Sequence, residues 1–123
     1  MVAARNDLPI PQVQLRPMTE EDLARVSAVE RESYAFPWSE GIFRDCVRVG
    51  YVCLVVELGF EPVGYGVMST GAGEAHILNL CVREAMRARG IGGTLLRRLV
   101  ELAVEAGAHE VFLEVQPSNI AAI

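Results

Sequence analysis

The sequence predicts an α/β domain: a mixed sheet flanked by helices. Three observations point there. Apolar residues 75–82 and 111–115 bracket a helically periodic stretch, residues 91–106, which makes a strand–helix–strand crossover. Two more strand-like runs, residues 51–57 and 62–70, are joined by Leu58-Gly59-Phe60-Glu61, a hairpin signature. The chain has 123 residues and 51% hydrophobic content, enough for one domain with its own core.

Taken in order, residues 1–11 read as a loose polar arm and residues 12–123 as the domain. Residues 12–16 form a short strand that Pro17 ends. Thr19 caps the first helix, with Asp22 at the capping-box position where Glu is usual. Leu23, Val26 and Val29 are its apolar stripe, with Ala28 beside it. Ser39 caps a second, short helix carrying Ile42, Phe43 and Val47. After the hairpin, Gly71 and Gly73 turn the chain into the strand at 75–82. In the last helix Ile91, Leu95, Leu99, Leu102 and Ala106 share a face. Arg97 and Arg98 lie on its solvated side, preceding Glu101 in the weaker charge order. Gly107 suits the helix end. Residues 111–115, nearly all apolar, are expected to be covered on both faces. Residues 117–123 read as a loop and the first turn of a helix. A right-handed crossover would place a ligand beyond the carboxyl ends of the strands.

Composition removes several function classes. A net charge of -5 argues against a nucleic-acid partner, which needs a basic face. Positive charge is local instead, at Arg83, Arg87, Arg89, Arg97 and Arg98. No apolar run approaches a membrane span, and the N-terminus lacks the apolar core of a signal peptide. Cys46, Cys53 and Cys81 make an odd count without a Cys-x-x-Cys pair, so the cytoplasm is the expected compartment. His76 and His109 have no metal-ligand spacing, and no metal is expected. Cys81 has no histidine beside it and reads as a small buried hydrophobe.

Between the strand at 75–82 and the helix stands Arg87-Ala88-Arg89-Gly90-Ile91-Gly92-Gly93, followed by Thr94. Glycines let a backbone approach closely, the first amides of a helix point outward, and its dipole favours an anion. The two arginines add charge where a diphosphate would lie. A dinucleotide fingerprint needs glycine where Leu95 stands, and a P-loop needs lysine after its last glycine. Arg-x-x-Gly-x-Gly remains, with Arg87, Gly90 and Gly92 in the defining places. An ordinary helix-capping turn is the plain alternative.

That loop resembles the acetyl-CoA pyrophosphate loop of the GNAT superfamily of N-acetyltransferases. With Ala35-Phe36-Pro37-Trp38-Ser39, Asn79-Leu80-Cys81-Val82 and residues 113–123, the chain beyond its arm is similar to the RimI-type branch, the bacterial ribosomal-protein-alanine N-acetyltransferases. The resemblance implies a GNAT-like acyl-CoA N-acyltransferase fold, with acetyl-CoA as cosubstrate. It further implies transfer to the α-amine of an N-terminal alanine on a small-subunit ribosomal protein. It makes Glu114 the general base and gives Leu80, Cys81 and Val82 to the pantetheine arm. It places Asn119 near the cofactor and Phe36, Pro37 and Trp38 beside the acceptor peptide. The family pattern continues past Ile123 to a general-acid tyrosine and two more strands. The sequence stops before them, so the domain is expected to be incomplete at its C-terminus. A sheet edge left open in this way leads us to expect a monomer or a weak homodimer.

Several residues keep two readings. Glu114, on the same strand face as Phe112, is either a structural ion-pair or strand-end carboxylate, or a base with its pKa raised by burial. Trp38 and Phe43 have the spacing of a hydrophobic staple around Ser39, so Trp38 serves packing, the acceptor site, or both. Acceptance by another amine, or a non-catalytic CoA-binding module, are the rival functions.

Overall fold

The computed structural model describes residues 13–114. The expected arm, residues 1–11, and Asn119 lie outside them. In chain order come β1 (Val13–Pro17), a 3-10 turn (Glu20–Asp22), α1 (Leu23–Ser33), α2 (Glu40–Val49), β2 (Val52–Leu58) and β3 (Glu61–Gly71). Then follow β4 (Glu74–Val82), a second 3-10 turn (Glu84–Met86), α3 (Ile91–Glu105) and β5 (Glu110–Leu113). The five strands lie side by side in sequence order, antiparallel from β1 to β4, with β5 parallel to β4. This is the expected mixed sheet with helices on both faces.

Alternation along the strands builds two cores. On one face Leu54, Val56, Val63, Ile77 and Leu80 pack against Leu95 and Leu99 of α3. On the other, Val55, Tyr65, Val67 and Cys81 meet Val26 and Val29 of α1 and Phe43 of α2. A β-carbon on Gly66 would lie 2.9 Å from Leu99 Cδ1, so glycine lets α3 sit directly on β3. The buried row of α3 is Ile91, Leu95, Leu99 and Ala103. Ala103 takes the place expected for Ala106, which is exposed, and Leu102 is half-buried.

Asp22 shows how local chemistry joins elements. Its carboxylate accepts the Thr19 N–H at 2.8 Å and pairs with Arg16 of β1 at 2.6 Å, while Arg16 reaches Glu57 of β2 at 3.1 Å. The Arg16 guanidinium holds the Asp22 carboxyl below its usual range, and the Thr19 amide adds to this. Asp22→Asn is expected to lower unfolding free energy by about 1–3 kcal/mol at neutral pH, through the lost charged hydrogen bonds. Because the folded-state pKa is depressed, that contribution is complete above about pH 3.9 and is lost as pH falls through the folded value. Urea unfolding of both proteins should therefore converge in strong acid.

β5 corrects one expectation. Val111, Phe112 and Leu113 are 37%, 38% and 41% exposed, not covered on both faces. Among the described residues β5 is an edge strand paired only with β4, and its register covers just Glu74 to Ile77. Leu80 to Val82 run on past that pairing.

Candidate functional site

After β4 and the second 3-10 turn, Arg87 is extended, Ala88 turns left-handed (φ 62°) and so does Gly90 (φ 82°). A left-handed alanine costs about 1–2 kcal/mol, so the surrounding turn holds this bend against local preference. Gly90 caps α3 without a side chain. Thr94 donates both its N–H (3.0 Å) and its hydroxyl (2.9 Å) to the Gly90 carbonyl, closing the first turn. The amides of Ile91, Gly92 and Gly93 have no acceptor within the helix by geometry, and the helix dipole adds positive potential there. At Gly90 and Gly93 nothing lies within 4 Å of where a β-carbon would stand, so that space is open. Arg89 is exposed. Arg87 is half-buried and donates from Nε to the Val82 carbonyl at 3.0 Å, which pins its guanidinium at the end of β4.

The stretch of β4 beyond β5 has its own arrangement. Arg87 engages the Val82 carbonyl, and the Tyr34 hydroxyl donates to the Leu80 carbonyl at 3.2 Å. The Cys81 carbonyl instead faces β3, 2.9 Å from where a Gly64 β-carbon would be. Peptide groups alternate sides along a strand, so those of Leu80 and Val82 face away from β3, and Leu80, Cys81 and Val82 are buried. Burial, and then nearby Cys81, push the Tyr34 phenol well above its ordinary range, so it stays a donor. Cys81 is buried, its thiol 3.4 Å from the Ser33 hydroxyl. A cleft of about 490 Å³ opens between the end of α1 and this turn, with Ser33, Arg83, Glu84 and Arg87 in its walls. Arg83 and Glu32 approach to 3.5 Å.

The link from α1 to α2 carries the Phe36-Pro37-Trp38 segment. Phe36 is 84% exposed, Pro37 is exposed and Trp38 is half-buried. The Trp38 ring lies 5.3 Å from Phe43, so the staple contact is present, and the Ser39 hydroxyl accepts the Ile42 N–H at 3.2 Å. The Trp38 N–H donates to buried Glu30 at 3.0 Å.

Glu114 stands one residue past β5, its N–H on the Ile77 carbonyl at 2.9 Å. Its side chain is 51% exposed and hydrogen-bonds His76, so burial is not what sets its environment. The other nitrogen of His76 lies 3.1 Å from Glu74, and its ring stacks on Phe112 at 5.0 Å. Phe112 and Glu114 thus share a face. Glu114 first, then Glu74, raise the His76 pKa by favouring the imidazolium.

Sequence reasoning missed Glu30, Tyr34 and His76 as parts of this region. Glu30 had a signal: it falls on the α1 face of Leu23 and Val26, a charge on an apolar stripe. Among the described residues, no group of three or more His, Cys, Asp or Glu side chains is placed to hold a metal, and no helix is long and apolar enough to cross a membrane.

The sequence model of the acetyltransferase (GNAT) family matches residues 16–123. Over 106 residues the chain is 29% identical to the [ribosomal protein bS18]-alanine N-acetyltransferase of Salmonella typhimurium, covering 86% of this chain and 72% of that one. The crystal structure of the ribosomal-protein-S18-alanine N-acetyltransferase from Escherichia coli superposes with a TM-score of 0.80 at 25% identity, over 90% of this chain and 72% of that one. In fold, the PaiA N-acetyltransferase from Thermoplasma acidophilum, solved in complex with coenzyme A, matches with a TM-score of 0.70 at 22% identity, over 88% and 82%.

Proposed function

The chain belongs to the acetyltransferase (GNAT) family, and from that membership we propose that it moves acetyl from acetyl-CoA to a protein N-terminus, the α-amine of an alanine on a small-subunit ribosomal protein. The observation that carries the cofactor half is the glycine-rich start of α3, with open space above Gly90 and Gly93 and with Arg87 fixed at the end of β4. Arg87, Ala88, Arg89, Gly90, Ile91, Gly92, Gly93 and Thr94 form the diphosphate cradle. Leu80 to Val82 run alongside the pantetheine arm. The relative from Salmonella typhimurium, named for alanine acetylation on a ribosomal protein, supports the acceptor half.

The chemistry needs only modest help. An α-amine has a pKa near ~8, so about a tenth of it is neutral at pH 7, whereas a lysine amine near ~10.4 is almost wholly charged. The neutral amine attacks the thioester carbonyl, whose oxygen gains charge. A β4 peptide N–H stabilises that oxygen, and the carbonyl re-forms as CoA leaves as thiolate. Glu114, directly or through water, takes the proton that the amine sheds. Phe36, Pro37 and Trp38 border the acceptor.

The test is incubation of the protein with acetyl-CoA and a panel of alanine-terminated peptides, N-blocked lysine peptides and small amines, read by mass spectrometry. Acetyl on the α-amine of the alanine peptides is expected. Acetyl only on lysine or on small amines would assign the acceptor elsewhere, and cofactor binding without any transfer would reduce the protein to a CoA-binding module.

A further inference from the structure

Glu30 is 2% exposed, at a place on α1 where its neighbours are apolar. Burying a carboxylate costs several kcal/mol unless donors surround it. Three donors do, from β3, β4 and the link between α1 and α2. Its Oε1 accepts the Tyr65 hydroxyl of β3 at 2.7 Å and the Asn79 amide of β4 at 3.0 Å. Its Oε2 accepts the backbone N–H of Trp38 at 3.0 Å. Tyr65 is held in turn by an edge-on contact with Phe43, 5.6 Å between centroids.

The Trp38 bond closes one end of a short strap. The other end is Tyr34, whose N–H donates to the Glu30 carbonyl at 3.1 Å and whose hydroxyl holds the Leu80 carbonyl at 3.2 Å. Between these clamps residues 35–37 are exposed. Asn79 immediately precedes Leu80, so Glu30 ties the strap to the strand assigned to the cofactor.

We infer that Glu30 is a positioning residue for the acceptor: its carboxylate fixes the Phe36-Pro37 strap relative to the end of β4. This rests on the acceptor role proposed for Phe36, Pro37 and Trp38. A strap ordered beforehand loses less freedom when it receives a peptide, so the effect belongs to acceptor binding and not to acetyl-CoA. With Tyr65 and Asn79 donating as they do here, a glutamine has one acceptor oxygen for them and turns its NH₂ toward the Trp38 N–H, so the bond to the strap is lost.

The test uses Glu30→Gln in the full chain. Losing a charged hydrogen bond should raise the peptide KM about tenfold and speed Trp38 amide exchange by about the same factor. The acetyl-CoA Kd should stay within about twofold, since a bond to the strap alone is lost. Should that variant fail to fold, Tyr65→Phe keeps the ring contact and removes only one donor, with about a threefold rise in peptide KM expected. An unchanged peptide KM, or peptide and acetyl-CoA affinities falling together, overturns the inference. If the wild-type protein acetylates no peptide, the functional reading fails by itself, and the Trp38 exchange rate still decides whether Glu30 fixes the strap: unchanged exchange overturns it, faster exchange supports it.

Discussion

In the Glu114→Gln variant, turnover of an alanine-terminated peptide falls about 100-fold at neutral pH, while acetyl-CoA binds as before. Glutamine keeps the shape and removes the proton acceptor. The backbone is untouched, because the Glu114 N–H on the Ile77 carbonyl does not depend on the side chain. His76 would keep Glu74 as a partner and lose the larger of the two influences that raise its pKa. The pH dependence is more telling than the size of the loss. If the base serves to free an α-amine, the deficit shrinks as pH passes about 8, where the amine is neutral without help. For a lysine acceptor it would persist to about 10.4. Measuring kcat/KM against pH for both proteins separates these cases. A deficit that ignores pH, or an equal loss of acetyl-CoA affinity, would remove Glu114 from the proposed role.

Gly92→Val produces the opposite pattern: the acetyl-CoA Kd rises about 10- to 100-fold, with turnover at saturating cofactor near the wild-type value. Gly92 is the second residue of α3, and its amide is among those the helix leaves without an acceptor. Gly92 is buried, so a branched side chain there pushes the helix start aside, which moves its amides off a phosphate, and one or two charge-assisted hydrogen bonds are lost. Calorimetry gives the Kd, and competition with inorganic pyrophosphate checks the cause: it should displace acetyl-CoA from the wild-type protein and hardly bind the variant. Equal affinities in the two proteins would mean that this helix start does not hold the diphosphate.

The elements were legible in the sequence where the determinants are local. Thr19 with Asp22, Ser39 with Ile42, and Trp38 with Phe43 all make the contacts their spacing implies. The glycine turn before α3 is where the motif puts it, and its left-handed Gly90 follows from the residue type. The exposure of β5 was not legible, since an apolar run reads the same in a central strand and at an edge. Glu30, Tyr65 and Asn79 meet across separations of 35 and 49 residues, beyond any local pattern. The pairing of His76 with Glu114 depends on the register of β4 against β5, which spacing cannot supply.

A row of bare peptide groups on a sheet is an invitation to any passing polypeptide. Where β4 outruns β5, however, two side chains already sit on the carbonyls, Tyr34 on Leu80 and Arg87 on Val82. A foreign segment trying to zip on would find those two acceptors taken. With those two acceptors taken and Leu80 to Val82 buried, the end of β4 offers little for another strand to pair with.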